Sequence, residues 1–154
     1  GYKVLMPRNS DITIELLDRA IDANENQPDI FVSIHHNAHP NAPAARGIET
    51  FYYQYYPSYP PQINEAMHLD PLRIEQSRKL AESIHRELII KTNAVDRSVQ
   101  RNTFLVLRET SMPSVLLELG FMSNYSELSN LQAPSYQEKL VNGIVDGIHK
   151  HFIQ

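Results

Sequence analysis

The run Val115-Leu116-Leu117-Glu118-Leu119-Gly120-Phe121 is apolar apart from a single carboxylate. So short an apolar run reads as an interior strand covered on both faces, which calls for helices on either side of a sheet. The rest of the chain repeats the theme, with short apolar strands alternating with helical stripes. Lys3 to Met6 reads as a strand stopped by Pro7, after which Ser10 or Asp11 can cap a helix whose apolar face is Leu16, Leu17, Ala20, Ile21 and Ala23. A Pro28-Asp29 turn leads into a strand from Ile30 to His35, His39 to Pro43 is loop, and Gly47 to Tyr53 resumes strand. Prolines and tyrosines from Tyr56 to Asp70 mark an irregular excursion, a candidate lid over a crevice. Asp70-Pro71 is a strong helix start, because Asp accepts free amide bonds and proline suits the first helical position. Leu80, Ala81, Ile84 and Leu88 give that helix its stripe, and it should end near Asn93. Phe104 to Leu107 and Val115 to Leu119 read as further strands, before a C-terminal helix buried through Leu140, Val141, Ile144, Val145, Ile148 and Phe152. Gly143 and Gly147 would let this helix approach the sheet closely. The expected fold is α/β: one domain over residues 1–154, a mostly parallel twisted sheet with helices on both faces.

Composition narrows the function. With 154 residues, 42% hydrophobic and 21% charged, the chain is an ordinary single domain with a sizeable core. A net charge of -4 with no Lys/Arg block gives no footprint for nucleic acid or an anionic bilayer. No stretch is long and apolar enough for membrane insertion, and the opening residues lack a signal peptide's charged start and cleavage site. Without cysteine, disulfides, thiolate metal sites and cysteine nucleophiles are excluded, so any metal must be held by His, Asp or Glu.

In parallel α/β sheets ligands bind beyond the carboxyl ends of the strands. His35, in Ser33-Ile34-His35-His36-Asn37-Ala38, lies at such an end and Glu118 lies close to another, which is the reason to place both in one site. A strand-end histidine is by default a satisfied polar residue, and His36 points to the opposite face. His35 and His39 have the separation of a helical metal pair, but Pro40 makes a helix there improbable. His149 and His151 diverge on a solvated helix end. Glu118 says more than any histidine. A carboxylate flanked by leucines is costly to bury unless paired, metal-bound or partly protonated, and those conditions suit a general acid or base. A structural ion pair with Arg108, on the neighbouring expected strand, is the plain alternative.

These residues carry a family resemblance. Ser33 to Ala38, Gly47-Ile-Glu-Thr-Phe51, Leu105-Val-Leu-Arg108 and Pro113-Ser-Val-Leu-Leu-Glu-Leu-Gly-Phe-Met-Ser-Asn124 resemble, in order and spacing, the zinc-dependent N-acetylmuramoyl-L-alanine amidases (amidase type 3). Arg8 with Asp11, Arg19 with Ala23-Asn24, and the Tyr136 to Phe152 helix extend the match over nearly the whole chain. The resemblance implies that His35 is a Zn2+ ligand, that Glu118 is the catalytic carboxylate, and that the reaction is hydrolysis of the amide joining N-acetylmuramic acid to L-alanine in bacterial peptidoglycan. It further implies an extracellular, cell-wall or periplasmic setting, and leaves any wall-targeting domain or regulator to sequence outside this chain. Asn37 and Asn124 are expected to orient substrate or support the ligands, with turn formation the alternative. Arg97 is expected to attract a stem-peptide carboxylate. It lies where the family commonly has Arg-Gly, and Ser98 replaces that glycine.

One departure shapes the expectation. The family carries two further zinc ligands before its second strand, a histidine in a glycine-rich loop and a glutamate on the next helix, and this chain begins at what resembles that second strand. The domain is therefore expected to be N-terminally incomplete and, on its own, inactive. An inactive amidase-like module binding cell wall or a partner protein is the competing expectation, and a zinc carboxypeptidase-like peptidase is a third.

Overall fold

Among the described residues there are four strands, β1 (Phe31–Asn37), β2 (Ile48–Tyr53), β3 (Asp96–Asn102) and β4 (Ser114–Phe121), and β-branched, aromatic and leucine side chains build all but β3. The computed structural model describes residues 1–153 and arranges the strands in one sheet of order β1-β4-β2-β3. β1 runs parallel to β4 and β2 parallel to β3, while β2 and β4 are antiparallel. The sheet is mostly parallel, as expected, and its one antiparallel seam lies at the centre.

Among the described residues five helices accompany the sheet: α1 (Leu16–Asn26), α2 (Pro71–Thr92), α3 (Leu105–Glu109), α4 (Tyr125–Gln132) and α5 (Pro134–Ile153). The Asp70 side chain accepts a bond from the Arg73 amide at the start of α2, and Asn93 closes the helix in the left-handed conformation that a short polar residue tolerates. One face of the sheet presents Ile48, Val115, Leu117 and Leu119 to Leu80, Ile84 and Leu88 of α2, with Leu140 and Ile144 of α5 behind them. Gly143 and Gly147 do permit a close approach, but to α2 rather than to the sheet. A Cβ at Gly143 would lie 2.9 Å from the Leu88 Cα, and the Ser83 hydroxyl donates to the Gly147 carbonyl at 2.8 Å. The opposite face carries a smaller core of Phe51, Tyr53 and Leu116 under Val106 and Leu107 of α3.

Two expected strands are absent. Lys3 to Met6 has no regular structure and lies exposed, because no strand is beside it to satisfy its backbone. Phe104 to Leu107 is instead the start of α3, where Leu107 and Arg108 both donate backbone bonds to the Phe104 carbonyl. Its four apolar residues fit one helical turn as well as they fit a strand, so periodicity alone could not separate the two. α1 begins at Leu16 behind Glu15, with no side-chain cap from Ser10 or Asp11.

Ser98 is the strained point of β3. Its φ of +72° lies in the left-handed region that costs a side-chain-bearing residue about 1 kcal/mol or more. Ser98→Gly is therefore expected to stabilise the protein, by about 0.5–1 kcal/mol after the greater chain entropy of glycine is subtracted. Urea unfolding would show this as a raised midpoint, and an unchanged or lowered midpoint would mean that the strain is absent.

Candidate active site

Strand register assembles the site. Parallel pairing sets His35 of β1 against Glu118 of β4, and antiparallel pairing sets Glu49 of β2 against the same Glu118. Opposed residues on neighbouring strands project to one face, with Cα atoms about 4.5–5.5 Å apart. One imidazole and two carboxylates thus stand in a row across three strands, on the face away from α2 and α5. Beside them is a cleft of about 170 Å³ lined by His35, Glu118 and Leu116 on the sheet, Leu16 of α1, and Phe104, Leu105 and Val106 around the start of α3. Its walls are mostly hydrocarbon, so charges inside it are poorly hydrated.

That setting acts differently on each group. Burial, reinforced by the charge of Glu49, pushes the Glu118 carboxyl up to about 7, and its buried Oε2 has no hydrogen-bond partner among the described residues. Burial, then the charges of Arg19 and His36, lowers the pKa of His35, which keeps its imidazole neutral at pH 7; Nε2 lies 2.9 Å from the Ser33 hydroxyl. Glu49 is tied down instead. Arg97 Nε donates to its Oε1 at 2.5 Å, Asn37 Nδ2 points to its Oε2 at 3.4 Å, and the Arg97 guanidinium lies 5.1 Å from the centre of the Phe121 ring. Two adjacent carboxylates are thereby driven apart in role, one charge-compensated and one held near neutrality, the division expected of an acid/base site.

The expected site residues do not all meet. His35 and Glu118 adjoin, Asn37 and Arg97 border them through Glu49, and Asn124 stands further off. Asn124 caps α4, accepting from the amides of Ser126 and Glu127, and its Nδ2 donates to the Pro43 carbonyl at 3.1 Å. His36 and His39 are exposed outside the cleft lining. Arg108 does not pair with Glu118. It sits in α3 and its Nε donates to Glu109 at 2.8 Å, because the turn of a helix carries it off the cleft face. The excursion after β2 leaves from the strand end opposite Glu49, and none of its described residues lines the cleft. Sequence reading missed Glu49 as a site residue; its one signal was a carboxylate alternating with Phe51 and Tyr53 on a strand. Among the described residues, no three His, Asp or Glu side chains converge as a metal shell, and no helix is long and apolar enough to cross a membrane.

The family model for N-acetylmuramoyl-L-alanine amidase matches residues 1–150. The chain is 34% identical over 154 residues to YqiI of Bacillus subtilis, covering all of this chain and 66% of that protein. It is 30% identical over 152 residues to the amidase LytC of the same organism, covering 99% of this chain and 27% of LytC. It therefore spans between about a quarter and two thirds of the length of these relatives. The crystal structure of an N-acetylmuramoyl-L-alanine amidase from Clostridium difficile 630 superposes with a TM-score of 0.83 at 35% identity, over 99% of this chain and 73% of that one. With the match running from the first residues to the C-terminal helix, the chain belongs to the N-acetylmuramoyl-L-alanine amidase family.

Proposed function

We propose that the chain supplies Glu118 as proton carrier, and His35 as a zinc ligand, to hydrolysis of the amide between N-acetylmuramic acid and L-alanine in peptidoglycan, at the bacterial cell wall. The observation that carries this reading is the buried Glu118 carboxyl oxygen, without a partner among the described residues, facing the His35 imidazole across the strand pairing at the cleft. A carboxyl whose pKa is near 7 can accept a proton from water and return it within one turnover at neutral pH.

Zinc is the metal that the family resemblance implies. His35 suits one position of its shell, but a catalytic zinc usually has three protein ligands plus water, and the described residues bring no such set together. They do not make a zinc site by themselves, and the proton steps run through side chains alone. Glu118 takes a proton from the attacking water as the C–O bond forms at the amide carbonyl. It then delivers that proton to the alanine nitrogen as the C–N bond breaks. Leu16, Leu105, Val106 and Leu116 exclude bulk water from the reacting bond. Asn37 and Arg97, at the rim beyond Glu49, contact the substrate's polar groups, while Asn124 steadies the loop around Pro43.

Digestion of purified peptidoglycan by the full-length protein tests the reading. New amino termini should be alanine, with no new reducing sugar ends. A different amino terminus would indicate a peptidase, and wall binding without cutting would indicate a binding module. His35→Ala is expected to lower bound zinc, measured by atomic emission after dialysis, with little change in melting temperature of the chelator-treated protein. Undiminished zinc would remove His35 from the shell.

A further inference from the structure

We propose that Asp96, held by the buried His85 on the α2 side of the sheet, is a positioning residue for the cleft on the opposite side, acting through the β3 bulge to hold Arg97 against Glu49. The inference rests on the proposed function for its activity readout and on geometry for its substance.

His85 is 5% exposed and uses both ring nitrogens. Nδ1 lies 3.0 Å from the Thr50 hydroxyl of β2, and Nε2 lies 2.8 Å from Asp96 Oδ1 at the start of β3. Hydroxyl, imidazole and carboxylate follow the order of a nucleophilic triad, but Thr50 is wholly buried and no substrate can reach it. The function of the chain is at its other end. Asp96 Oδ1 also accepts the Ser98 amide at 2.7 Å, closing a turn over Arg97.

That turn is a bulge. Ile48 pairs with Asp96 and Thr50 with Val99, so Glu49 alone faces Arg97 and Ser98, and Ser98 takes up the left-handed φ. The extra residue lets Val99 pack into the core beside α2 while Arg97 projects to the cleft face. Bulges re-aim side chains in this way beside functional sites. Gly47 leaves the space that the Arg97 stem occupies, since a Cβ there would sit 3.0 Å from both Arg97 Cγ and Cδ. Placed there, Arg97 compensates Glu49, a carboxylate only 7% exposed and next to Glu118. Loosening the bulge would leave Glu49 uncompensated and free to compete with Glu118 for the reacting water. The His85 bond, followed by the Ser98 amide, also keeps the Asp96 carboxyl below its usual range, as a carboxylate committed to both donors would be.

The experiment uses Asp96, whose side chain is 58% exposed, because it can be changed without opening the core. In the full-length, zinc-loaded protein, Asp96→Ala should lower kcat about tenfold with KM changed less than twofold. Asp96→Asn, whose Oδ1 accepts the same two bonds, should restore most of it. Arg97→Gln should lower kcat at least as much, with any lost substrate contact showing in KM, and adding Asp96→Ala to it should lower kcat no further, since the bulge acts on kcat through Arg97. Independently of activity, the Arg97 Nε–H NMR resonance should persist in wild type and Asp96→Asn and move to the solvent-exposed position in Asp96→Ala. Wild-type activity unchanged by Asp96→Ala, or effects of Asp96→Ala and Arg97→Gln that multiply, would overturn the inference. If the wild type does not cut peptidoglycan, the proposed function fails instead, and the Arg97 resonance still decides the positioning role.

Discussion

Glu118→Gln is expected to remove wall-hydrolysing activity, by about 10²–10⁴-fold for the loss of a general acid/base, and at the same time to make the protein more stable above neutral pH. The two effects have one cause. Burial and the charge of Glu49 raise the carboxyl's pKa to about 7, so the folded state holds its proton where the unfolded chain, at an ordinary carboxylate value, has released it. Folding therefore gains from Glu118 at low pH, and this contribution is lost as pH rises from the unfolded value through 7. Above pH 7 the wild type carries a poorly solvated charge that glutamine lacks. At about 1.4 kcal/mol per pKa unit, discounted for a side chain still partly open to solvent, the gain for glutamine is on the order of 2 kcal/mol. Denaturant melts of metal-free wild type and Glu118→Gln at pH 8 and at pH 4.5 would test it. The variant should be more stable at pH 8 and about equal at pH 4.5. A variant less stable than wild type at pH 8 would mean that Glu118 makes a favourable contact the structure does not contain.

The sequence made His35 and Glu118 legible, because an imidazole at the end of an apolar strand and a carboxylate amid leucines are both anomalous for their surroundings. α2 was legible to the residue, since Asp70, Pro71 and Asn93 each signal a terminus through local backbone chemistry. Glu49 was not, because its importance comes from strand order: only after β2 inserts antiparallel beside β4 does it face Glu118. β3 was missed for a related reason. Asp96-Arg97-Ser98-Val99-Gln100-Arg101-Asn102 has a single apolar residue, as suits an edge strand exposed along most of its length, and no hydrophobic period marks it. Arg97 could be noticed as a charge, but its partner, and the bulge that aims it, are tertiary facts.

Glu109→Gln is expected to cost about 3–5 kcal/mol of stability, the range for breaking a buried ion pair from one side. Glu109 is fully buried at the end of α3. Its carboxylate accepts the amides of Gln62, Ile63 and Asn64 and the Arg108 Nε, and so pins the irregular excursion between β2 and α2 to the domain. The Asn64 side chain adds to the anchor by donating to the carbonyls of Arg108 and Thr110. Glutamine fills the same volume but brings two donors to a place surrounded by donors, and it leaves the Arg108 guanidinium buried without its counter-ion. Burial works against the Glu109 charge, yet the backbone amides and Arg108 outweigh it and hold the carboxyl below its usual range. The stability it contributes is thus present above the ordinary carboxylate pKa and is lost as pH falls through the lowered value, so the deficit of the variant should shrink in acid. At neutral pH the deficit corresponds to a melting temperature lowered by roughly 10 °C at this chain length, with new protease cuts between Tyr55 and Leu69 where the anchor is gone. A variant that melts within about 2 °C of wild type, or whose excursion stays resistant to protease, would show that the segment is held by its own packing and not by the buried carboxylate.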